Sequence, residues 1–247
     1  MSDTIVNGPS YQSSYKALND NLIQLVRTHH WLSETVHTDV AGPQWWLFFG
    51  DLSENQVCVF SQGQWLSETG PSALFLPPFS VIHWRIKPGP LEWTAFIGRT
   101  PLPESVPKNP YLMSRKGLSP ISTEEDVKCF MQDFPKGRNI VYKKDPAAVS
   151  LRVKGYIDSN PGQDYPIQEI AEKLKINYRV MSRFFHDDFG LTPAAYRNNL
   201  RVMHAKCTMV FDKPSVLDVA LSTGFSSSGG LSKAFRKIMD LAPSKFL

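Results

Sequence analysis

Cysteine is scarce in this chain. Its 247 residues include 3 cysteines, Cys58, Cys129 and Cys207, which are isolated from one another and odd in number. A disulfide framework uses pairs of cysteines, and a CxxC metal site uses two that are closely spaced. The sequence therefore predicts three reduced cysteines and neither kind of site, as is typical of a cytoplasmic protein.

Long apolar segments are also missing. Residues 1–10 are polar and contain no basic stretch followed by an apolar core, so no secretory signal is expected. No stretch has the roughly 20 apolar residues of a membrane-spanning helix, so no membrane partner is expected. With 42% hydrophobic and 20% charged residues, the chain has the composition of a globular protein with one large or two ordinary domains.

The common patterns of catalytic and metal sites are absent. Metal-binding β-barrels carry a His-x-His pair, a Glu and a later His, because iron or manganese needs three or four converging ligands. Here His83 has no histidine two residues away. No Ser, His, Asp order, nucleophile elbow or phosphate-binding glycine loop is present either. We therefore expect a protein that is not an enzyme and has no metal or cofactor.

One pattern of residues occurs twice between residues 167 and 246. Ile170 and Ala171 of the first copy correspond to Val219 and Ala220 of the second. Further along, the correspondence continues as Ser182 with Ser232, Arg183 with Lys233, Phe185 with Phe235, Leu191 with Leu241 and Pro193 with Pro243. The second copy has one additional residue in the turn. An internal repeat of this kind predicts two units of the same fold.

Each copy predicts a helix-turn-helix. In the first, Asn177 is the expected N-cap of a helix after a short apolar helix. In the second, Gly224 supplies the turn, where a left-handed residue is easiest. The residues expected to face inward are Val180, Met181, Phe184 and Phe185, and then Leu231, Ala234, Phe235 and Ile238. Those left facing outward are Tyr178, Arg179, Ser182, Arg183 and His186, and then Ser228, Gly229, Ser232, Lys233, Arg236 and Lys237.

The outward faces carry the side chains that reading of a DNA major groove requires. Arg and Lys donate to guanine, and Ser serves either base edge. Residues 151–247 also hold a basic excess, with 14 Lys and Arg against 9 Asp and Glu, whereas residues 1–110 hold 6 against 9. The alternative is that two helical hairpins stack only for stability.

This repeat resembles the AraC/XylS family of bacterial transcription regulators, over about residues 146–247. The matching residues are Met181 to Phe185 in MSRFF, Gly190 to Pro193 in GLTP, Tyr196, Arg201, Gly224 to Ser226 in GFS, and Leu231 to Phe235 in LSKAF. The resemblance implies a double helix-turn-helix that binds double-stranded DNA, and we expect an activator that works with RNA polymerase. The base-reading residues it implies are Arg179, Ser182, Arg183, Ser228, Gly229, Ser232 and Lys233, and the outward-facing Tyr178 is also expected to contact DNA.

The second copy departs from the family pattern at two places. Gly229 and Gly230 occupy positions where helix-favouring or aromatic residues are usual, and each glycine weakens a helix by roughly 1 kcal/mol relative to alanine. Asp240 stands where the first copy has Gly190. Base reading is therefore expected to be better in the first unit than in the second.

The N-terminal part changes from a helical to a strand period. Residues 15–29 predict a helix, with Leu18, Leu22, Leu25 and Val26 on one face. Between residues 45 and 97, short apolar runs separated by Gly, Pro, Asn and Ser predict β-strands. All 6 tryptophans lie in this region or just before it.

The stretch from Gly70-Pro71 to Pro77-Pro78, followed by His83, is similar to the strand-turn pattern of the cupin-type sensor barrel that precedes many AraC-type repeats. Two readings of its aromatic residues stay open, since they form either an ordinary core or a pocket for an apolar or aromatic effector. The pocket residues expected are Trp46, His83, Arg85 and Trp93, with Arg85 or Arg99 pairing with an acidic group.

Residues 100–109 hold three prolines and read as a segment leaving the barrel. Ser122 to Glu125 have the spacing of a capping box for a helix whose apolar stripe, Val127, Phe130, Met131 and Phe134, suggests a homodimer. Asp145 and Pro146 then predict the start of a bracing helix, and Thr192 and Pro193 that of a long helix between the two units. Arg197 and Arg201 on the long helix are expected to contact phosphate or a buried Asp.

The sequence thus predicts an α+β multidomain chain. A β-rich, cupin-like sensor or dimerisation domain spans residues 1–110, a helix and linker residues 111–144, and an all-α double helix-turn-helix domain residues 145–247. The competing hypothesis is a cupin-like ligand-binding protein or metal enzyme whose helical repeat binds a protein partner instead of DNA.

Overall fold

The computed structural model describes residues 3–118 and 120–247, which form two compact units, one up to Val141 and one from Tyr142 to Lys245. The first unit consists mainly of antiparallel strands and the second of helices. This order confirms the β-rich N-terminal part and the all-helical C-terminal part that the sequence predicts.

The strands of the first unit form two sheets. Eight strands follow the order β1-β2-β3-β10-β5-β8-β11-β12, and four follow the order β4-β9-β6-β7. The strands are β1 (Thr4–Asn7), β2 (Tyr11–Asn19), β3 (Leu22–Trp31), β4 (Thr35–Val40), β5 (Trp45–Leu52), β6 (Val57–Ser61), β7 (Gln64–Leu66), β8 (Gly70–Leu76), β9 (Val81–Ile86), β10 (Gly89–Gly98), β11 (Tyr111–Ser114) and β12 (Gly137–Asn139). The five apolar runs between residues 45 and 97 are confirmed as strands.

The helix expected over residues 15–29 is wrong. These residues form most of β2 and β3, and the turn between the strands is held by Asn19 Oδ1, which accepts a hydrogen bond of 2.7 Å from the backbone nitrogen of Asn21. The leucines fit a helical stripe, but β3 pairs along its whole length with β10, which lies far along the chain. This long-range pairing decides the local structure, and Ile23 and Leu25 become alternate buried residues of a strand.

One face of the larger sheet is covered by the helix α1 (Glu124–Gln132). Val127, Phe130 and Met131 of α1 are buried in the same cluster as residues of the sheet. The rings of Phe49 and Phe130 meet edge to face with their centres 5.5 Å apart. The apolar stripe of this helix is therefore used inside its own unit, which removes the observation that suggested a homodimer through it.

The capping box of α1 is present, one residue later than the sequence spacing suggested. Thr123 is the N-cap, its Oγ1 accepts from the backbone nitrogen of Asp126, and the Asp126 carboxylate accepts from the backbone nitrogen of Thr123. Aspartate thus plays the part expected of Glu125, because its shorter side chain reaches back from the third helical position.

Residues 111–141 differ from the expected helix and linker. β11 pairs with β8 and β12 pairs with β11, so both extend the larger sheet. Val106, in the proline-containing segment, is also buried in the cluster beneath α1. The chain therefore folds back on the sheet instead of leaving it at residue 100.

The second unit is a set of short helices around one long helix. They are α2 (Ala148–Ser159), α3 (Ile167–Lys173), α4 (Tyr178–Phe189), α5 (Pro193–Asp212), α6 (Val216–Ser222) and α7 (Ser228–Met239), followed by a 3-10 turn (Pro243–Phe246). The expected start of α2 at Pro146 under an Asp145 cap is wrong, because the helix begins at Ala148 and its N-cap Ala147 has no capping side chain. Among the described residues, no helix has the length and apolar character needed to cross a membrane.

Candidate nucleic-acid interface

The first helix-turn-helix consists of α3, a turn and α4. Asn177 caps α4, since its Oδ1 accepts from the backbone nitrogens of Arg179 at 3.0 Å and Val180 at 3.3 Å. The turn residue Lys175 has a φ of 53°, the left-handed conformation that the second unit gives to a glycine. At its other end, α4 closes on left-handed Gly190.

The buried side of α4 consists of Met181, Phe185 and Asp188, spaced as one helical stripe. The ring of Phe185 lies 5.5 Å from that of Tyr196 on α5. Val180, which the sequence placed inward, is 38% exposed because it lies off this stripe, and Phe184 is only half-buried.

The opposite side of α4 faces outward as the sequence predicts. Tyr178, Arg179, Arg183 and His186 are exposed, and Ser182 is half-buried between them. The guanidinium of Arg183 lies 5.3 Å from the centre of the Phe184 ring. Two cationic side chains and a hydroxyl thus share one helical face.

The second helix-turn-helix repeats this arrangement with α6 and α7. Ser215 caps α6, and Ser227 caps α7 by accepting a hydrogen bond of 3.1 Å from the backbone nitrogen of Gly230. Leu231 and Phe235 are buried. The outward residues are exposed Gly229, Gly230, Lys233, Arg236 and Lys237, with half-buried Ser228 and Ser232.

The two departures from the family pattern are accommodated without loss of the helix. Gly229 and Gly230 lie in the first turn of α7, which forms from Ser228. Asp240 ends α7 with a φ of 56°, the conformation that Gly190 has at the end of α4. Aspartate tolerates this region better than most residues, because its short polar side chain can hydrogen-bond locally.

Gly224, in the turn of the second helix-turn-helix, leaves no room for a side chain. Its φ is 86°, and a Cβ there would lie 2.8 Å from the carbonyl oxygen of Gly162 and 2.9 Å from Cζ of Arg201. The turn therefore requires glycine for both conformation and space, as the sequence suggested.

The helix α5 connects the two helix-turn-helix motifs. Thr192 caps it, Pro193 is its first residue, and it runs for 20 residues to Asp212. At 1.5 Å per residue its length is about 30 Å, close to one turn of DNA. Both α4 and α7 pack against α5.

Residues 170–247 match the model of a helix-turn-helix domain. The melibiose operon regulatory protein of Escherichia coli (strain K12) is 29% identical over 92 residues, which are 37% of this chain and 30% of that protein. The HTH-type transcriptional activator RhaS of Escherichia coli (strain SE11) is 35% identical over 74 residues, or 30% of this chain and 27% of the activator. Residues 170–247 form an AraC/XylS-type helix-turn-helix domain.

The chain spans less than half the length of these relatives. A likeness in fold extends further. The structure of unsaturated fatty acid bound wild-type ToxT from Vibrio cholerae strain SCE256 matches with a TM-score of 0.59 at 14% identity, and the match covers 94% of this chain and 96% of that one. A β-rich part followed by a helical part is thus the fold of both chains.

Arg197 and Arg201 have a structural task in the AraC/XylS-type domain. Arg197 donates to the carbonyl oxygen of Tyr165, and Arg201 to those of Pro161 and Gln163. Burial lowers the pKa of both guanidinium groups. Among the described residues, the carboxylate recorded near Arg201, at 3.8 Å, belongs to exposed Asp164, so the expected contact with a buried Asp is wrong. Neither arginine projects like those of α4.

The four expected effector residues do not come together. Trp46 and Trp93 point to the side of the larger sheet opposite α1, since the Trp46 ring stacks 5.6 Å from Phe48, which in turn meets Trp84 of the smaller sheet. His83 and Arg85 alternate with Trp84 along β9 and point to its other side. There the His83 ring lies 6.5 Å from that of Phe60, and the Arg85 guanidinium 4.9 Å from the Trp65 ring.

A row of polar and aromatic side chains was missed instead. Arg27 lies 5.5 Å from the Trp93 ring, His29 stacks 3.8 Å from Trp31, and Trp31 lies 6.0 Å from His37. Burial, followed by the charge of Arg27, lowers the pKa of His29 to about 4. Burial also acts to lower the pKa of His37, but hydrogen bonding and charge from Asp39 outweigh it and raise that pKa. The alternation of these residues along β3 is the signal that the helix assignment hid.

Proposed function

We propose that the chain is a sequence-specific DNA-binding transcription regulator that reads two successive major grooves with α4 and α7. The observation that carries this proposal is the presence of exposed donor side chains on the second helix of both helix-turn-helix units. A major groove admits one helix, and Arg, Lys and Ser are the side chains that address base edges there. RhaS of Escherichia coli is a transcriptional activator, which supports activation by this chain, with RNA polymerase as the further partner.

The base-reading residues proposed for α4 are Arg179, Ser182 and Arg183, with Tyr178 beside them. For α7 they are Ser232 and Lys233, together with Ser228 and Gly229 at its start. Arg183 and Lys233 are the strongest choices, because each is exposed at the middle of its helix, on the side opposite the buried stripe. Gly229 has no side chain and offers only close approach of the backbone to a phosphate.

The deciding experiment is selection of random duplex DNA by the full-length protein at a fixed salt concentration. Enrichment of two short elements about 10 bp apart, one for each reading helix, is the expected result. Non-specific affinity should also fall steeply as salt rises, because Lys and Arg displace counterions from phosphates. Failure to enrich any sequence, together with metal bound to the purified protein, would favour the competing metal enzyme or ligand-binding protein with a partner-binding repeat.

We also infer that the first unit binds a small apolar acid as effector. The observation in favour is Arg27, whose Nε donates to Ser13 Oγ at 2.7 Å and whose buried Nη2 has no hydrogen-bond partner among the described residues. Trp31 Nε1 is also buried and has no hydrogen-bond partner among the described residues. A carboxylate would satisfy such donors, while the surrounding rings would hold an apolar body. ToxT, of the same fold, has been crystallised with an unsaturated fatty acid.

Titration of the protein with an unsaturated fatty acid, followed by tryptophan fluorescence, tests this second function. We expect saturable quenching that Arg27→Met weakens at least about tenfold, the loss typical of a charged hydrogen bond. Arg99→Met is the control, because Arg99 is exposed and donates to the backbone oxygen of Asp20. Equal binding by both variants would contradict the assignment of Arg27.

A further inference from the structure

Asp188 is a fully buried carboxylate on the reading helix α4. It is the penultimate residue of the helix, and its side chain has 0% exposure. A negative charge near the C-terminus of a helix is unfavourable to the helix dipole, and burial adds the loss of hydration. Such a charge persists only if specific partners compensate it.

Two partners come from the segment that precedes α2. Lys143 Nζ donates to Asp188 Oδ1 at 2.6 Å, and the backbone nitrogen of Ala147 donates to Oδ2 at 2.8 Å. Ala147 is the N-cap of α2 and has no capping side chain of its own. Asp188 therefore supplies from α4 both the acceptor and the negative charge that favour the start of α2.

We propose that the Lys143–Asp188 ion pair fixes the position of α4 against the start of α2, so that Asp188 is a positioning residue for base reading by the first helix-turn-helix. This inference rests on the proposed DNA-binding function. Asp188 lies on the buried side of α4 and touches no DNA; it acts through the orientation of the helix that carries Arg179 and Arg183. The second reading helix α7 has no part in this contact.

The experiment measures discrimination separately at the two DNA elements. The full-length protein is titrated against the selected duplex and against duplexes with one changed base pair in the element read by α4 or in the element read by α7. In the wild type each change should weaken binding about 5- to 150-fold, the usual effect of a mismatched base pair. A wild type that binds all these duplexes with equal affinity would refute the proposed function itself, whether or not the Lys143–Asp188 ion pair positions α4.

Lys143→Met is the test variant, because Lys143 is about half exposed and its loss leaves the helical core intact. We expect the ratio of affinities for the selected and the changed duplex to fall at least about threefold at the α4 element and to stay unchanged at the α7 element. The reason is that the energetic effect of a substitution is coupled to the residues in contact with it and not to distant ones. Lys144→Met is the matched control, because it removes the same charge from an exposed neighbour. Equal loss at both elements, or an equal effect of Lys144→Met, would overturn the proposal.

Discussion

Arg183 shows what a single residue of the proposed interface should contribute. Its guanidinium is exposed on α4 and in contact only with the ring of its neighbour Phe184 among the contacts the structure describes. Arg183→Ala should weaken binding to the selected duplex by about 1 to 3 kcal/mol and relax the preference at one base position, because a bidentate contact to guanine is lost. Equilibrium titration at fixed salt measures both effects.

The control for Arg183→Ala is Lys108→Ala, which removes the same charge from an exposed position of the sheet unit. Lys108→Ala should leave base preference unchanged. If Arg183→Ala weakened all sequences uniformly, as a phosphate contact would, Arg183 would be a backbone-contacting residue and the assignment to base reading would be wrong.

His29 makes the stability of the sheet unit depend on pH. Its pKa in the folded chain is about 4, below the 6.5 of a free histidine, and the largest cause is burial. Above pH 6.5 neither state binds the proton, but between pH 6.5 and 4 the unfolded chain binds it and the folded chain does not. The contribution of His29 should therefore lower stability as pH falls through this window.

His29→Gln should remove this part of the pH dependence. Urea unfolding followed by tryptophan fluorescence at pH 7 and pH 5 measures it, and the wild type should lose more stability on acidification than the variant. Because His37 has a raised pKa and acts in the opposite direction, only the difference between variant and wild type is informative. His30→Gln, at an exposed neighbour, is the control, and an identical loss in His29→Gln would refute the prediction.

The first turn of α7 is an element whose stability and function should separate. Gly230 has a negative φ, and a Cβ on it would meet Ser227 Oγ at 3.5 Å and Phe225 Cδ1 at 3.9 Å, both ordinary contacts. Gly230→Ala should therefore stabilise the second unit by up to about 1 kcal/mol, through loss of flexibility in the unfolded chain. Thermal unfolding measures this gain.

Gly229→Ala is the matched variant, because a Cβ on Gly229 would meet Ser227 Oγ at 3.8 Å, also an ordinary contact, and the same gain in stability is expected. If the backbone at Gly229 approaches a phosphate, its alanine variant should bind DNA more weakly although it is more stable. Destabilisation by both substitutions would mean that the glycines are required for the fold and not for an interface.

The helices of the second unit could be predicted because their signals are local. Asn177 and Thr192 act as the N-caps that their positions suggested, and Gly224 forms the turn. The start of α2 could not be found in this way. Asp145 and Pro146 form a plausible local start, but the acceptor that α2 uses is Asp188, 41 residues beyond Ala147.

The strands of the first unit depended on contacts that a local pattern does not contain. Residues 15–29 have apolar spacing compatible with either period, and pairing of β3 with β10 selects the strand. The same error concealed Arg27 and His29, which a strand assignment places on one face. In β9, the alternation of side chains places His83 and Arg85 on one face and Trp84 on the other. The sequence could therefore have shown that His83 and Arg85 do not face the same side as Trp84.

At the scale of the whole helical unit, α5 should make DNA binding depend on the distance between the two DNA elements. Its 20 residues form one continuous helix of about 30 Å with a buried centre, so α4 and α7 are held by a rigid spacer. Insertion of 5 bp between the elements rotates one of them by about half a turn to the other side of the duplex. Affinity for that duplex should fall to that for a duplex with the first element alone.

A duplex of equal length with the insertion placed outside both elements is the control, and its affinity should equal that of the original. Insertion of 10 bp restores the face of the helix but lengthens the separation beyond the reach of α5, so it should not restore binding. Full recovery at 10 bp would require two molecules or a flexible connection, and it would contradict the view that one chain reads two successive grooves through a fixed spacer.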